Sequence, residues 1–157
     1  MNLARAIHFD ESDRNVYHVA ARTGEWCLSG GFEFSDWSEG DLVGKARQAF
    51  ANGWLGLETF GRVTFVAVTR IEPAERDALI EALAEHFVAL HGAPSLDAAR
   101  PVATEEVDAM IDLCDGVDAG RVMTVSRTLG EAGVHEAFRI LEAREADLAQ
   151  VAVHGDE

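Results

Sequence analysis

The sequence predicts a single α+β domain: a mostly antiparallel sheet, three helices packed on it and a C-terminal β-hairpin. Three observations lead to this class. Apolar and polar residues alternate near both ends of the chain, helical periodicity appears between those segments, and no proline- or serine-rich linker divides the 157 residues. A doubly wound parallel sheet would need strands and helices to alternate throughout, which the terminal regions do not do. We assign residues 1–144 to one globular domain and residues 145–157 to a polar tail.

Six segments have the alternation of β-strands. They are residues 3–9, 15–21 (the weakest), 26–34, 60–71, 121–129 and 134–143. The pair Gly30-Gly31 interrupts the third segment and indicates a bulge or a close backbone approach. Val66 and Val68 make both faces of the fourth segment apolar, so we expect that strand to be buried on both sides. The glycine-containing loop at residues 130–133 predicts a hairpin between the last two segments.

Three helices are predicted between the strands. The first has Ser38 as its cap, Asp41 three residues later as in a capping box, and a stop at Asn52-Gly53. The second begins at Pro73 and the third covers residues 103–115. The side chains that we expect in the core are Trp26, Phe32, Phe50, Val63, Phe65, Leu83, Phe87, Ile111, Val125 and Ile140.

The charge of the chain disfavours two classes of partner. It carries 28 acidic and 13 basic residues, a formal net charge of −15, which repels nucleic-acid phosphates and anionic lipid headgroups. The same charge suits a basic protein partner. No apolar run approaches the roughly 18 residues of a membrane span, and the first residues do not form a signal peptide. Two distant cysteines, Cys27 and Cys114, indicate reduced core thiols and a cytoplasmic protein.

Metal-ligand spacings are weak in this sequence. Four carboxylates follow one face of the third helix: Glu105, Asp108, Asp112 and Asp115. A straight helix face spreads its ligands and this one lies opposite the apolar face, so we expect a solvated surface rather than a cation site. His86 and His91 are five residues apart on the second helix and are expected to diverge. We therefore expect no metal and no cofactor.

Nucleophilic catalysis has little support either. Ser29 lacks the Gly-x-Ser-x-Gly pattern of a nucleophile elbow. Cys27 could act as a nucleophile with a histidine as base, but its apolar neighbours Trp26 and Leu28 favour a buried, unreactive thiol. The glycine-containing loops at residues 53–56 and 130–133 do not match nucleotide-binding fingerprints. We name no catalytic residue.

Residues 52–61 are the most unusual stretch, because aromatic and aliphatic side chains alternate with glycine. Trp54, Leu55 and Phe60 are possible contacts for a partner or a ligand. A connection whose apolar side chains close one end of the core is the simpler interpretation.

Several segments carry a resemblance to a known family. They are Gly24-Glu25-Trp26 with Ser29-Gly30, residues 44–50 through 53–56, and Leu113-Cys114. Together they resemble a family of short bacterial proteins of roughly this length, a domain of unknown function. The resemblance extends to about residue 143 and implies no activity, cofactor or site residue.

Two classes of function remain. The first is a non-enzymatic accessory or protein-interaction protein with an acidic surface and a basic protein partner, with a homodimer through a sheet edge as a possible assembly. The alternative is a small-molecule-binding protein or an enzyme with a pocket near Trp26, Cys27 and Trp54.

Overall fold

A computed structural model gives the structure of the protein and describes residues 1–8 and 12–141. The strands are β1 (Asn2–Ile7), β2 (Trp26–Leu28), β3 (Trp54–Gly56), β4 (Arg62–Val63), β5 (Phe65–Arg70), β6 (Val122–Gly130) and β7 (Gly133–Ile140). The α-helices are α1 (Ser12–Val16), α2 (Gly44–Asn52), α3 (Pro73–Leu90) and α4 (Leu96–Asp115). Short 3-10 helices occupy Gly31–Phe34 and Glu39–Asp41. In the described ranges, no helix has both the length and the apolar character needed to cross a bilayer.

The predicted α+β single domain is confirmed. One seven-stranded sheet has the order β4-β3-β2-β1-β5-β6-β7, and every neighbouring pair is antiparallel. The C-terminal hairpin is also confirmed: Gly130 pairs with Gly133, which leaves Glu131 and Ala132 as a two-residue loop. Gly133 has a φ of 111°, a backbone conformation that glycine adopts without steric cost. The polar tail at residues 145–157 lies outside the described residues and stays a prediction.

The sheet curls until its two ends meet. β3 and β7 are separated by five strand-to-strand steps, about 24 Å in a flat sheet. Yet the rings of Trp54 in β3 and Phe138 in β7 stack with their centroids 5.6 Å apart. Side chains of this size cannot span a flat sheet, so the strands must wrap around. The region where the ends meet positions the site described below.

Helices α3 and α4 form an antiparallel pair that covers part of the sheet. Arg76 near the start of α3 pairs with Asp108 of α4, and Glu81 of α3 pairs with Arg100 of α4. α4 packs on β1 and β2. The most deeply buried side chains of the core include Leu3, Trp54, Leu55, Val66, Leu83, Val107 and Met123.

The predicted core is largely confirmed. Phe50, Val63, Leu83, Phe87, Ile111 and Val125 are buried, whereas Trp26, Phe32 and Phe65 are half-buried. Ile140 was expected in the core and is 45% exposed. It lies at the end of β7, an edge strand, where the segment that follows α4 covers it only in part.

Some predicted strands were wrong in type or extent. Residues 15–21 do not form a strand, because α1 covers Ser12–Val16 and Asp13 folds inward to pair with His8 and Thr64. The third predicted strand stops at Leu28, since Gly30 takes a φ of 73° and turns the chain into a 3-10 helix. The segment 60–71 is divided into β4 and β5.

The helix boundaries differ in two places. The predicted capping box of Ser38 and Asp41 is present, but it caps the separate 3-10 helix that precedes α2. The third helix begins at Leu96 rather than at residue 103, because Ser95 caps it by accepting a hydrogen bond from Ala98 N at 3.1 Å. Pro101 therefore lies inside α4.

Candidate functional site

Two arginines lie in the interior where the ends of the sheet meet. Arg62 of β4 is 6% exposed and Arg127 of β6 is 3% exposed. Both guanidinium groups donate to the same two backbone carbonyls, those of Ser29 and Gly53. The ring of Phe34 lies 4.6 Å from the first guanidinium and 5.3 Å from the second. The two arginines thus join both ends of the sheet through backbone acceptors and one aromatic ring.

Burial changes the ionisation of these arginines without neutralising them. Desolvation lowers the pKa of Arg62 to about 10, against the opposing charge of Glu33. Desolvation likewise lowers the pKa of Arg127, and Glu136 opposes the shift through a 2.8 Å hydrogen bond. Both side chains therefore remain cationic at neutral pH.

Glu33 extends this network to two histidines. Its Oε1 accepts a 2.7 Å hydrogen bond from Arg62, and its Oε2 lies 3.1 Å from His86 Nε2 and 3.0 Å from His91 Nε2. The three potential ligand atoms of Glu33, His86 and His91 all lie within 4.8 Å of one another. We call these three residues the Glu-His-His cluster.

The prediction that His86 and His91 diverge was wrong. α3 ends at Leu90, and His91 is its C-terminal cap with φ −121° and ψ 16°. Because His91 leaves the helical path, the five-residue spacing no longer fixes its direction, and its ring lies 5.1 Å from that of His86.

The charge state of Glu33 follows from its neighbours. Burial on its own would raise the pKa of this carboxyl, but Arg62, His86 and His91 together lower it below its ordinary value. Glu33 is therefore an anion at neutral pH. An ionised carboxylate only accepts hydrogen bonds, so both Nε2 atoms donate to it.

Phe60 fixes the ring of His86. The two rings are parallel within 1°, with centroids 3.9 Å apart. Phe60 has a φ of 55°, and in the described part of the chain no other residue except glycine has a positive φ. Left-handed backbone at a bulky residue costs energy and persists only where its surroundings hold it. The strained residue places an aromatic ring flat against a buried imidazole.

A cavity of about 640 Å³ adjoins the cluster. It lies between the 3-10 helix Gly31–Phe34, the end of α3 and the first half of α4. Its lining is Phe32, Glu33, Ser35, Asp36, Phe87, Leu90, His91, Ala93, Pro94, Ala98, Ala99, Val102 and Glu106. Burial raises the pKa of Glu106, and the charges of Glu136 and Glu105 add to this. The wall is thus mainly apolar with three carboxyl groups and one imidazole.

The residues predicted as contacts lie elsewhere. Trp54 and Leu55 are 0% exposed, so they close the core between the ends of the sheet rather than face solvent. Phe60 is half-buried against His86. Their role as partner or ligand contacts stays a prediction, and none of the three lines the 640 Å³ cavity.

The alternative pocket near Trp26, Cys27 and Trp54 gains no support from the thiol chemistry. Cys27 is fully buried, and desolvation followed by the charge of Glu25 raises its thiol pKa well above the ordinary value. A thiol in that state is a poor nucleophile. Trp26 instead donates from Nε1 to Glu75 at 3.3 Å.

The acidic stripe of α4 is solvated, as expected. Asp108 is paired with Arg76, and Asp115 accepts a 2.6 Å hydrogen bond from Asn2 N. Glu105 and Asp112 are exposed. Among the described residues, the cluster that could hold a metal ion is the Glu-His-His cluster and not this stripe.

Comparison with known proteins places the whole chain in one family. Residues 1–157 match a family of unknown function, DUF6505. The chain belongs to this family. No curated protein and no solved structure matches it. Membership in DUF6505 confirms the resemblance, and because the family carries no assigned activity, function has to be argued from the geometry above.

Sequence reasoning missed the residues that build this site, although one signal was present. Arg127 shares the strand face of Met123 and Val125, an arginine among inward-facing apolar residues. A charged residue at such a position indicates a buried partner. Glu33 and His91 offered no comparable signal, because a short 3-10 helix and a helix cap have no periodic pattern that shows where a side chain points.

Proposed function

We propose that this DUF6505 protein binds a small molecule with an apolar body and a cationic group in the 640 Å³ cavity. The composition of the cavity wall is the main support for this proposal. Glu33, Asp36 and Glu106 supply three carboxyl groups, and none of the described lining residues is a lysine or an arginine. Cavities that bind small molecules have about 300–1,000 Å³ and combine apolar walls with a few polar groups.

The charges in the wall favour a cation over an anion. Glu33 already has Arg62 as its counter-charge, so Asp36 and Glu106 are the groups left to a ligand. The pKa of Glu106 is raised by burial and by its like-charged neighbours Glu136 and Glu105, so a cation beside this carboxyl would be favoured. A ligand ammonium group would supply one, whereas a ligand carboxylate or phosphate would add repulsion.

The apolar part of the cavity suits an aromatic or branched body. Phe32 and Phe87 meet edge to face with centroids 5.1 Å apart and form one wall. Leu90 and Val102, both exposed, lie at its rim. A ligand that covers them removes apolar surface from water, at about 25 cal/mol per Å².

An accessory role with a basic protein partner stays a second proposal, supported by the net charge of −15. Two of the side chains predicted as contacts for such a partner, Trp54 and Leu55, are buried. A cytoplasmic location is likewise a proposal, supported by the two free, buried thiols.

A matched pair of probes tests the binding proposal. Titration calorimetry would compare 2-phenylethylamine with 3-phenylpropanoate, which have similar apolar bodies and opposite charges. We expect the amine to bind one site per chain and the carboxylate not to bind. Equal affinity for the two probes, or no binding of either probe, would contradict the proposal.

Two tryptophan substitutions locate the site. Val102→Trp fills the cavity and should abolish amine binding, while Val43→Trp places the same bulk at an exposed position outside the cavity and should leave it unchanged. Amine binding that survives Val102→Trp would place the ligand elsewhere.

A further inference from the structure

We propose that Glu33, His86 and His91 form a site for a divalent transition-metal ion, with Zn²⁺ as the ion that fits this donor set. The inference goes beyond the proposed function, because it needs no organic ligand. It rests on the convergence of two imidazole nitrogens and one carboxylate oxygen within 4.8 Å.

The spacing of the donor atoms matches a coordination sphere. Zinc binds imidazole nitrogen and carboxylate oxygen at about 2.0–2.2 Å, so neighbouring donors around a tetrahedral ion lie about 3.3 Å apart. The Nε2 atoms of His86 and His91 lie 3.1 Å and 3.0 Å from Glu33 Oε2. An ion at this point would replace the two shared protons, and the two Nε2 atoms, which lie within 4.8 Å of each other, would close around it.

The chemistry of the donors selects the class of ion. Calcium and magnesium prefer shells of oxygen ligands, whereas imidazole suits zinc, iron, copper and nickel. Two histidines and one carboxylate also leave at least one coordination position open. Glu33 and His91 line the cavity, so water or another small ligand can reach that position from there.

Two of the three ligands are held before an ion arrives. Arg62 binds Glu33 Oε1 at 2.7 Å and leaves Oε2 for the ion. The parallel ring of Phe60 fixes the plane of His86. Such outer contacts orient metal ligands and raise affinity, and they are arranged here around a carboxylate oxygen that already faces two imidazoles.

The competing explanation is purely structural. Hydrogen bonds from His86 and His91 to Glu33 hold the 3-10 helix Gly31–Phe34 against the end of α3, and this role requires no ion. The two explanations differ in what they predict for metal uptake, and therefore can be separated.

Calorimetric titration of the full-length, chelator-treated protein with ZnCl₂ is the direct test. We expect one ion per chain with micromolar affinity or better. His91→Gln should weaken binding at least tenfold, in line with the loss of a ligand. His135→Gln, which changes an exposed histidine on β7, should leave the affinity within twofold.

The proposed site would be overturned if the wild type bound zinc no more tightly than His91→Gln does. It would also be overturned if His135→Gln weakened zinc binding as much as His91→Gln does. Circular dichroism in metal-free buffer checks that each variant folds. If His91→Gln is unfolded, X-ray absorption of the zinc-loaded wild type decides: two imidazole ligands support the site, and a shell with none or one overturns it. Binding of 2-phenylethylamine is measured without metal, so the failure of one proposal does not affect the test of the other.

Discussion

At the scale of single residues, buried arginines hold distant parts of this chain together. Arg127 donates to the carbonyls of Phe50 and Gly53 at 2.9 and 2.8 Å, and Arg62 donates to that of Gly30 at 3.2 Å. A neutral side chain at either position would leave buried carbonyls without donors. The penalty for each is comparable to a lost hydrogen bond.

We predict that Arg127→Met lowers the free energy of unfolding by about 3–5 kcal/mol, because it leaves several buried backbone carbonyls without a donor and removes the ion-pair partner of Glu136. Urea unfolding followed by circular dichroism measures the change. Arg70→Met is the matched control, since this side chain is 78% exposed, and should alter stability by no more than about 0.5 kcal/mol. Equal effects of the two substitutions would contradict a structural role for Arg127.

Glu106 provides a test that depends on pH. Its folded-state pKa is raised, first by burial and then by Glu136 and Glu105. The folded state therefore holds the proton more tightly than the unfolded state does. The resulting stability is fully present below the unfolded pKa and is lost as pH rises through the folded pKa.

Glu106→Gln does not titrate and avoids that loss. We expect the variant to gain stability relative to wild type as pH rises above the ordinary glutamate pKa of about 4.3, as measured by thermal unfolding at increasing pH. The exposed neighbour substitution Glu105→Gln should show a smaller change. A Glu106→Gln difference that is constant with pH would contradict the raised pKa.

At the scale of elements, α4 combines a good N-terminal cap with an unfavourable residue in its interior. Ser95 caps the helix, yet Pro101 cannot donate to the carbonyl of Asp97 one turn earlier. Packing of Ala99, Ala103 and Val107 in the core keeps the helix continuous across this position. Tertiary contacts here outweigh local propensity.

We predict that Pro101→Ala stabilises the protein by about 1–2 kcal/mol, because it restores the missing helical hydrogen bond at an exposed position. Thermal or urea unfolding measures the gain. Pro73→Ala is the control: Pro73 begins α3, where proline suits the first turn, and its replacement should give no gain. A gain of the same size at both positions would contradict this explanation.

The elements that could be predicted from sequence are those with long, regular patterns. α3 and the β6–β7 hairpin each have a clear period and a recognisable start or turn. Strands of two or three residues, such as β3 and β4, are too short to show a period. A proline usually marks a helix boundary, so the start of α4 was predicted to follow Pro101 and was placed too late in the chain.

The candidate site could not be predicted for a different physical reason. Its residues come from a 3-10 helix (Glu33), a strand end (Arg62) and a helix cap (His91), and the curl of the sheet brings them together. Spacing along the chain carries no information about such a convergence. The single sequence signal was Arg127, which lies on the same face of its strand as apolar residues and therefore indicates a buried polar partner.

At the scale of the whole molecule, the net charge of −15 governs how two copies can meet. β7 is an edge strand with Phe138 and Ile140 both exposed by more than a third, so it offers apolar surface along a sheet edge. Repulsion between like-charged copies opposes pairing at that edge, and salt screens repulsion beyond about 8–10 Å.

The expected homodimer stays a prediction. Its dependence on salt follows from the opposition between charge repulsion and apolar contact at the β7 edge. We expect the sedimentation mass to rise from that of the 17.0 kDa monomer toward twice that value as NaCl increases from about 20 mM to about 500 mM. Ile140→Lys, which changes a 45% exposed position on the same strand, should reduce association at high salt. A monomer at every salt concentration would contradict self-association.

The closure of the curled sheet also sets the order in which the chain can fold during synthesis. Arg127 reaches carbonyls that lie 98 and 74 residues earlier, at Ser29 and Gly53. A nascent chain that ends before β6 has made Trp54 but lacks Phe138, the ring that stacks on it. The nascent chain therefore carries an unclosed sheet with exposed apolar side chains until β6 and β7 have emerged, and contacts of such long range make the final closure slow. Among the described strands, the two made last, β6 and β7, are the ones that complete the closure.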